Sequence, residues 1–334
     1  KGVYKTISQY GRCAALAKKS GYDGVEVMGS EGYFITQFLN ERTNQRDDEF
    51  GGSYENRMRL PLEIVRTIRQ EVGTDFIIIF RLSMIDLVEG GSSMEEVLTL
   101  AKELEKAGVT ILNSGIGWHE ARVPTIVTSV PRAAFVDPCA KVKEVVNIPV
   151  IASNRINMPD TAEEVIAAGK ADMVSMARPF LADSEWVNKA AEGRSDEINT
   201  CIACNQACLD HTFQAKRASC LVNPRACHET QLLYTPTHKA KKVAVVGAGP
   251  AGLACATVAA QRGHKVTLFE ARPEIGGQFT FASKIPGKEE FLETVRYFKK
   301  MIEVHNIELK LNTWVKADEL KEAGFDEIVV STGV

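Results

Sequence analysis

No apolar run in the chain approaches the ~18 residues that a membrane-spanning helix needs. There is no low-complexity tract and no short-period repeat, which excludes solenoids and propellers. A basic excess is also missing: 40 Lys and Arg stand against 43 Asp and Glu, so the electrostatic footprint of a nucleic-acid binder is absent. The N-terminal Lys1-Gly-Val-Tyr-Lys-Thr carries no apolar signal-peptide core, and a cytoplasmic location is expected. Eight cysteines in 334 residues are too sparse for a small disulfide scaffold. What remains is an ordinary globular composition, 45% hydrophobic and 25% charged, long enough for two domains of ~150 residues each.

The first half alternates strands and helices. Helical spacing covers 5–20, 55–71, 94–107 and 160–168. Short apolar runs, read as strands, fall at 23–30, 76–80, 110–114, 148–152 and 172–176. Alternation of this kind specifies a parallel sheet. Each run leads into a chemically loaded loop: Tyr33, then Arg81, then His119 and Arg122, then Arg155, then Arg178. Side chains gathered at strand C-terminal ends are the active-site pattern of a (β/α)8 barrel, whose last loops commonly hold a phosphate. Arg155 and Arg178 would be those phosphate residues. Five strands are counted where a closed barrel has eight. The chain also stops at Ile328-Val-Val-Ser-Thr-Gly-Val334, inside an apparent strand and turn. The expectation is therefore the C-terminal part of a barrel within a longer protein.

Four of the eight cysteines fall in one segment, Cys201-x2-Cys204-x3-Cys208-x11-Cys220. Four thiolates suit tetrahedral zinc or a [4Fe–4S] cluster. Zinc sites more often use two separated Cys-x2-Cys knuckles, so three cysteines this close favour the cluster. Cys227 competes with Cys220 as fourth ligand. Cys13, Cys139 and Cys255 lie in helical stretches and read as small core residues.

Lys242-Val-Ala-Val-Val-Gly247-Ala-Gly249-Pro-Ala-Gly252 is an apolar strand opening into G-x-G-x-x-G and a helix over 253–262. A second strand, Lys265-Val-Thr-Leu-Phe269, ends at Glu270. The glycines allow close approach to a pyrophosphate, the helix N-terminus favours its charge, and the acid accepts from ribose hydroxyls. An acid at this position disfavours a 2′-phosphate, so FAD or NAD fits better than NADP here. Gly276-Gly277-Gln278 supplies a second backbone approach, as the longer FAD needs.

Gly21-Tyr-Asp-Gly-Val-Glu-Val, Thr43-Asn-Gln-Arg, Gly51-Gly-Ser-Tyr-Glu-Asn-Arg57 and Arg81-Leu-Ser resemble the old yellow enzyme barrel. Gly117-Trp-His-Glu-Ala-Arg-Val-Pro124 and the cysteine segment narrow the resemblance to the bacterial NADPH-dependent 2,4-dienoyl-CoA reductases, the iron–sulfur flavoenzymes of unsaturated fatty-acid β-oxidation. The resemblance implies FMN in the barrel, a [4Fe–4S] cluster beside it and FAD in the following domain. Electrons would pass from NADPH through FAD, cluster and FMN to substrate. It implies Arg81 at the flavin, Arg155, Ala177 and Arg178 at the FMN phosphate, and Cys201, Cys204, Cys208 and Cys220 as cluster ligands. Gly247, Gly249, Gly252, Glu270 and Gln278, with the Ala251 and Val315 backbones, would contact FAD.

Tyr33 matches the family's proton donor and His119 its partner. A free phenol, with a pKa of ~10, keeps a proton to donate at neutral pH. Arg42, His119, Glu120, Ala121 and Arg122 are the candidate substrate contacts. The expected domains are residues 1–195 (FMN barrel portion), 196–238 (cluster segment and linker) and 239–334 (FAD-binding Rossmann-like). The alternative is another iron–sulfur flavoenzyme of the same architecture, an enoate reductase or an amine dehydrogenase.

Overall fold

The computed structural model describes residues 2–333; Lys1 and Val334, the outer ends of the expected domains, lie outside them. The chain forms two compact units. One comprises Lys1–Ile126, Val130–Ile156 and Asp160–Met176; the other comprises Val127–Ser129, Asn157–Pro159 and Ala177–Val334.

The first unit is TIM-barrel-like. Its parallel sheet runs in sequence order through β1 (Gly24–Gly29), β2 (Ile77–Ile85), β3 (Ile111–Ile116), β4 (Val150–Ala152) and β5 (Met173–Val174). Helices α1 (Gly2–Lys19), α2 (Phe34–Leu39), α3 (Tyr54–Val72), α4 (Met94–Ala107), α5 (Val136–Lys143) and α6 (Pro159–Ala167) connect and flank them. The register aligns Val27, Phe80, Leu112 and Val150 in one row, and all four are buried. Because side chains alternate along a strand, the row one residue on faces the opposite way: Met28, Arg81, Asn113, Ile151 and Met173. Apolar residues on the first face pack against the helices. The second row carries Arg81 and Asn113, whose side-chain amide donates to Glu26 Oε2 at 3.3 Å.

Two local expectations need correction. The second strand does not stop at Phe80 but carries Arg81 in its interior and runs to Ile85. Arg81 is accommodated there because Glu31 accepts its charge at 2.7 Å. Cys13 is exposed rather than a core residue. The buried stripe of α1 is Ile7, Gly11 and Ala14, and Cys13 falls off it. Cys139 is buried as expected, and Cys255 is half-buried.

The second unit opens with short helices, α7 (Arg178–Ala182), α8 (Trp186–Ala191) and α9 (His211–Phe213). It continues through β6 (Lys242–Val246), α10 (Pro250–Gln261), β7 (Lys265–Phe269), α11 (Phe279–Ala282), α12 (Phe291–Val304), β8 (Glu308–Lys310), α13 (Ala317–Glu322) and β9 (Glu327–Val330). The four strands are parallel in the order β8-β7-β6-β9, a Rossmann-like arrangement. Val245, Leu268, Leu253, Ala256, Phe298 and Ile302 form its core. α10 begins three residues before the expected 253, since Gly249 takes the N-cap and Pro250 the first turn, where its missing N–H is no loss. Among the described residues no helix is long and apolar enough to cross a membrane.

Candidate functional site

The C-terminal end of β1 turns sharply. Glu31 and Gly32 both take left-handed backbone conformations, with φ of 63° and 85°. The turn delivers Tyr33 as the N-cap residue of α2, with its ring half-exposed. His119, just beyond β3, meets it: the ring Nε2 lies 2.8 Å from the Tyr33 hydroxyl. The two rings are edge to face at 72°. The His119 backbone N–H donates to the Glu31 carbonyl at 3.3 Å, tying the two loops together. Glu31 in turn pairs with Arg81. The buried Arg81 Nε has no hydrogen-bond partner, so this guanidinium has a donor to spare.

Two residues that the sequence reading did not single out organise these loops. Asp86 follows β2 and is buried. Its carboxylate accepts from Ser83 Oγ at 2.5 Å, from the Ser92 N–H at 2.7 Å and from Trp118 Nε1 at 2.9 Å. Its carbonyl accepts from the Trp118 N–H at 2.9 Å. Trp118 is buried, and its ring lies so close to Gly32 that a Cβ there would sit 3.0 Å from it.

The remaining first-unit candidates are more dispersed. Glu120 and Arg122 are exposed, and the Ala121 N–H donates to the Trp118 carbonyl at 2.9 Å. Arg42 reaches Glu120 at 3.5 Å, an exposed contact of small energetic weight. Arg155 is buried, sits at φ 57°, and its Nε donates to the Val130 carbonyl at 2.8 Å.

In the second unit the four cysteines named by spacing converge. Cys201, Cys204, Cys208 and Cys220 line one shallow recess with Arg178. Cys227 is exposed and is not among the lining residues. The segment holds its shape through left-handed Ala203 and Asn205 and a wide turn over Gln206–Asp210. Arg178 opens α7, after the exposed Ala177, and its guanidinium donates to Asn205 Oδ1. Burial pushes the Cys201 and Cys204 thiols up and the Cys220 thiol up to about 11. The Arg178 charge pulls Cys201 and Cys204 back down, as do backbone N–H groups of Ala203 and Gln206; those of Val222 and Asn223 act on Cys220. Among the described residues no three His, Cys, Asp or Glu side chains are grouped tightly enough for a single metal ion.

The segment is anchored to the nucleotide-type fold within the same unit. Arg296 of α12 donates to the Asp196 and Ile198 carbonyls, each at 2.6 Å, and to Thr200 Oγ1 at 3.1 Å. Lys300, one turn on, pairs with Asp196 at 2.8 Å. Asn157 Nδ2 donates to the Cys201 carbonyl at 2.9 Å.

The glycine loop follows β6. A Cβ on Gly252 would fall 1.9 Å from the Gly247 carbonyl oxygen, so only glycine fits. Gly249 and Gly277 approach across the loop, where a Cβ on Gly277 would lie 2.9 Å from the Gly249 Cα. Ala251 and Gln278 are exposed beside them, in the first turn of α10 and at the cap of α11. Glu270 accepts from the Ala248 N–H at 2.8 Å and from the Arg272 N–H at 3.0 Å. It borders a groove of about 390 Å³ with Gly247, Arg272, Trp314 and Val315.

A family model for the NADH:flavin oxidoreductase / NADH oxidase family matches residues 1–197, and one for an NAD(P)-binding Rossmann-like domain matches residues 245–303. The chain belongs to the NADH:flavin oxidoreductase / NADH oxidase family. It is 41% identical to a metal reductase of Desulforamulus reducens, over 99% of this chain and 50% of that protein. It is 40% identical to an NADH oxidase of Thermoanaerobacter brockii, over 99% of this chain and 51% of that one. A solved structure of a 2-naphthoyl-CoA reductase in complex with 2-naphthoyl-CoA superposes with a TM-score of 0.96 at 39% identity, covering 99% of this chain and 51% of that chain. The chain thus spans about half the length of the relatives it matches. The matches thus place a flavin-oxidoreductase family domain over residues 1–197 and an NAD(P)-binding Rossmann-like domain over residues 245–303.

Proposed function

We propose that this chain is part of a reductase of conjugated CoA thioesters, with 2,4-dienoyl-CoA as substrate and NADPH as electron source. The observation that carries the reading is the 2.8 Å contact between Tyr33 and His119, beside the Glu31–Arg81 pair. The similarity to a solved acyl-CoA reductase supports the thioester class.

The residues present suit the implied groups. Arg81, paired with Glu31, keeps a buried Nε donor without a partner, as an acceptor at the pyrimidine end of FMN requires. Ala177, Arg155 and Arg178 remain the proposed phosphate residues. Four cysteines around one recess are the donor set of a [4Fe–4S] cluster, and the lining favours Cys220 over Cys227 as the fourth. The glycine loop, Glu270 and the adjoining groove suit FAD. The proposed domains are the barrel portion over 1–195, the cluster segment over 196–238 and the FAD portion over 239–334.

A bound reduced flavin supplies hydride. The chain's own contribution is the proton. Negative charge left on the dienoyl group spreads towards the thioester oxygen, and the Tyr33 hydroxyl delivers its proton to carbon. His119 Nε2, within hydrogen-bond reach, holds the phenol in place and then stabilises the phenolate by donating to it. Arg42, Glu120, Ala121 and Arg122 are the proposed contacts for the thioester and its CoA.

Tyr33→Phe in the full-length protein tests this. Turnover of 2,4-hexadienoyl-CoA should fall ~10²-fold or more while flavin reduction by NADPH is unchanged. Turnover near the parent rate would end the assignment. The alternative, an enoate reductase or amine dehydrogenase, draws on the same architecture. It would be favoured if an enoate, but not a dienoyl-CoA, reoxidised the reduced protein, or if an amine reduced the oxidised one.

A further inference from the structure

The buried pair Asp86 and Trp118 does more than fill the core. Asp86 uses both carboxylate oxygens and its carbonyl: Oδ1 for Ser83 Oγ and the indole N–H, Oδ2 for the Ser92 N–H, and the carbonyl for the Trp118 backbone. The indole is thereby fixed at two points, ring nitrogen and main chain. Its carbon face lies against Gly32, the residue before Tyr33, and its own successor is His119. Tyr33 therefore follows the glycine that lies against the ring, and His119 follows the residue that carries the ring. Gly32 has no side chain and a φ of 85°, so the ring sets how closely the Tyr33 turn approaches the His119 loop.

We propose that Asp86 and Trp118 are positioning residues for the Tyr33–His119 pair, with the indole as a spacer between the loops after β1 and β3. The inference rests on the reading of Tyr33 as proton donor. It concerns the distance and angle at which the phenol is presented, to which proton transfer is steeply sensitive; a misplacement of ~1 Å is enough to lose ~10²-fold in rate.

The test uses the full-length protein with its cofactors, reduced with dithionite and mixed with 2,4-hexadienoyl-CoA, following flavin reoxidation. Trp118→Phe keeps an aromatic ring but deletes the N–H that Asp86 holds. Asp86→Asn keeps the indole but places an amide against the Ser92 N–H. Each should slow reoxidation by ~10- to ~100-fold without changing the apparent affinity for the thioester. Reoxidation by ferricyanide, which takes electrons without a proton, should stay at the parent rate. The decisive arm is a double-mutant cycle: in a Tyr33→Phe background, Trp118→Phe should have almost no further effect.

If the Trp118→Phe loss persists in full in that background, or if ferricyanide reoxidation slows equally, the residue is merely structural and the inference fails alone. Parent-like rates in both Trp118→Phe and Asp86→Asn would also overturn it. If Tyr33→Phe itself reacts at the parent rate, the underlying reading fails first and takes this inference with it.

Discussion

The two units carry their chemistry in different materials. In the nucleotide-type unit the glycine loop is defined by the absence of side chains: Gly252 is pressed to within 1.9 Å of a carbonyl oxygen as soon as a Cβ is added. In the barrel-type unit the site consists of side chains: Tyr33 and His119 from the loops after β1 and β3, and Arg81 from within β2. A backbone-built site fails by not forming. A side-chain site can lose its chemistry with the fold intact.

That difference gives a graded set of expectations. Gly252→Val should produce the largest effect, about 3 kcal/mol or more of destabilisation from overpacking at a position with no room to relax. Thermal melting, together with loss of bound dinucleotide on gel filtration, would show it. Tyr33→Phe should leave the melting temperature unmoved, and a melting loss as large as that of Gly252→Val would break the comparison.

Cysteine reactivity should next separate buried from exposed thiols within the barrel-type unit. Burial pushes the Cys139 thiol up to about 11 from an ordinary 9.0. At pH 8 Cys139 should therefore react with iodoacetamide at least ~100-fold more slowly than the exposed Cys13, as mass spectrometry of the labelled protein can measure. The unfolded thiol ionises about two pH units earlier, so its contribution to stability is full below pH ~9 and declines as pH rises towards ~11.

The smallest effect is expected at Asp172, just before β5. Its side chain accepts from Lys143 Nζ and from the Val150 N–H, and these hold its carboxyl below the usual carboxylate range. Stability from this group is present above the unfolded value and is lost as pH falls through the lower folded one. Because the pair is partly exposed, Asp172→Asn should cost under ~1 kcal/mol at neutral pH. The difference in melting temperature should shrink below pH ~4.

The comparison also explains what could be read in advance. The glycine loop, Glu270 and the four cysteines were legible because each is a local pattern whose spacing in sequence is its spacing in space. The alternation of strands and helices was legible for the same reason. Arg81 was expected just past a strand and lies inside one. A run of apolar residues cannot reveal that a strand continues through a charge when the neutralising partner, Glu31, comes from another loop. Asp86 carries no motif in the sequence: its three donors are Ser83, Ser92 and Trp118, and only the folded loops bring the indole to it. α12 also went unplaced, although its Phe298, Met301 and Ile302 follow a helical stripe.

The Arg296 clamp has a mechanical consequence. One guanidinium on α12 grips the main chain at Asp196 and Ile198, and the last of these is three residues from Cys201. A pull on that helix is transmitted to the cysteine ledge through hydrogen bonds rather than through a slack linker. The stretch leading into Cys201 is thus held in fixed register with α12 within this unit.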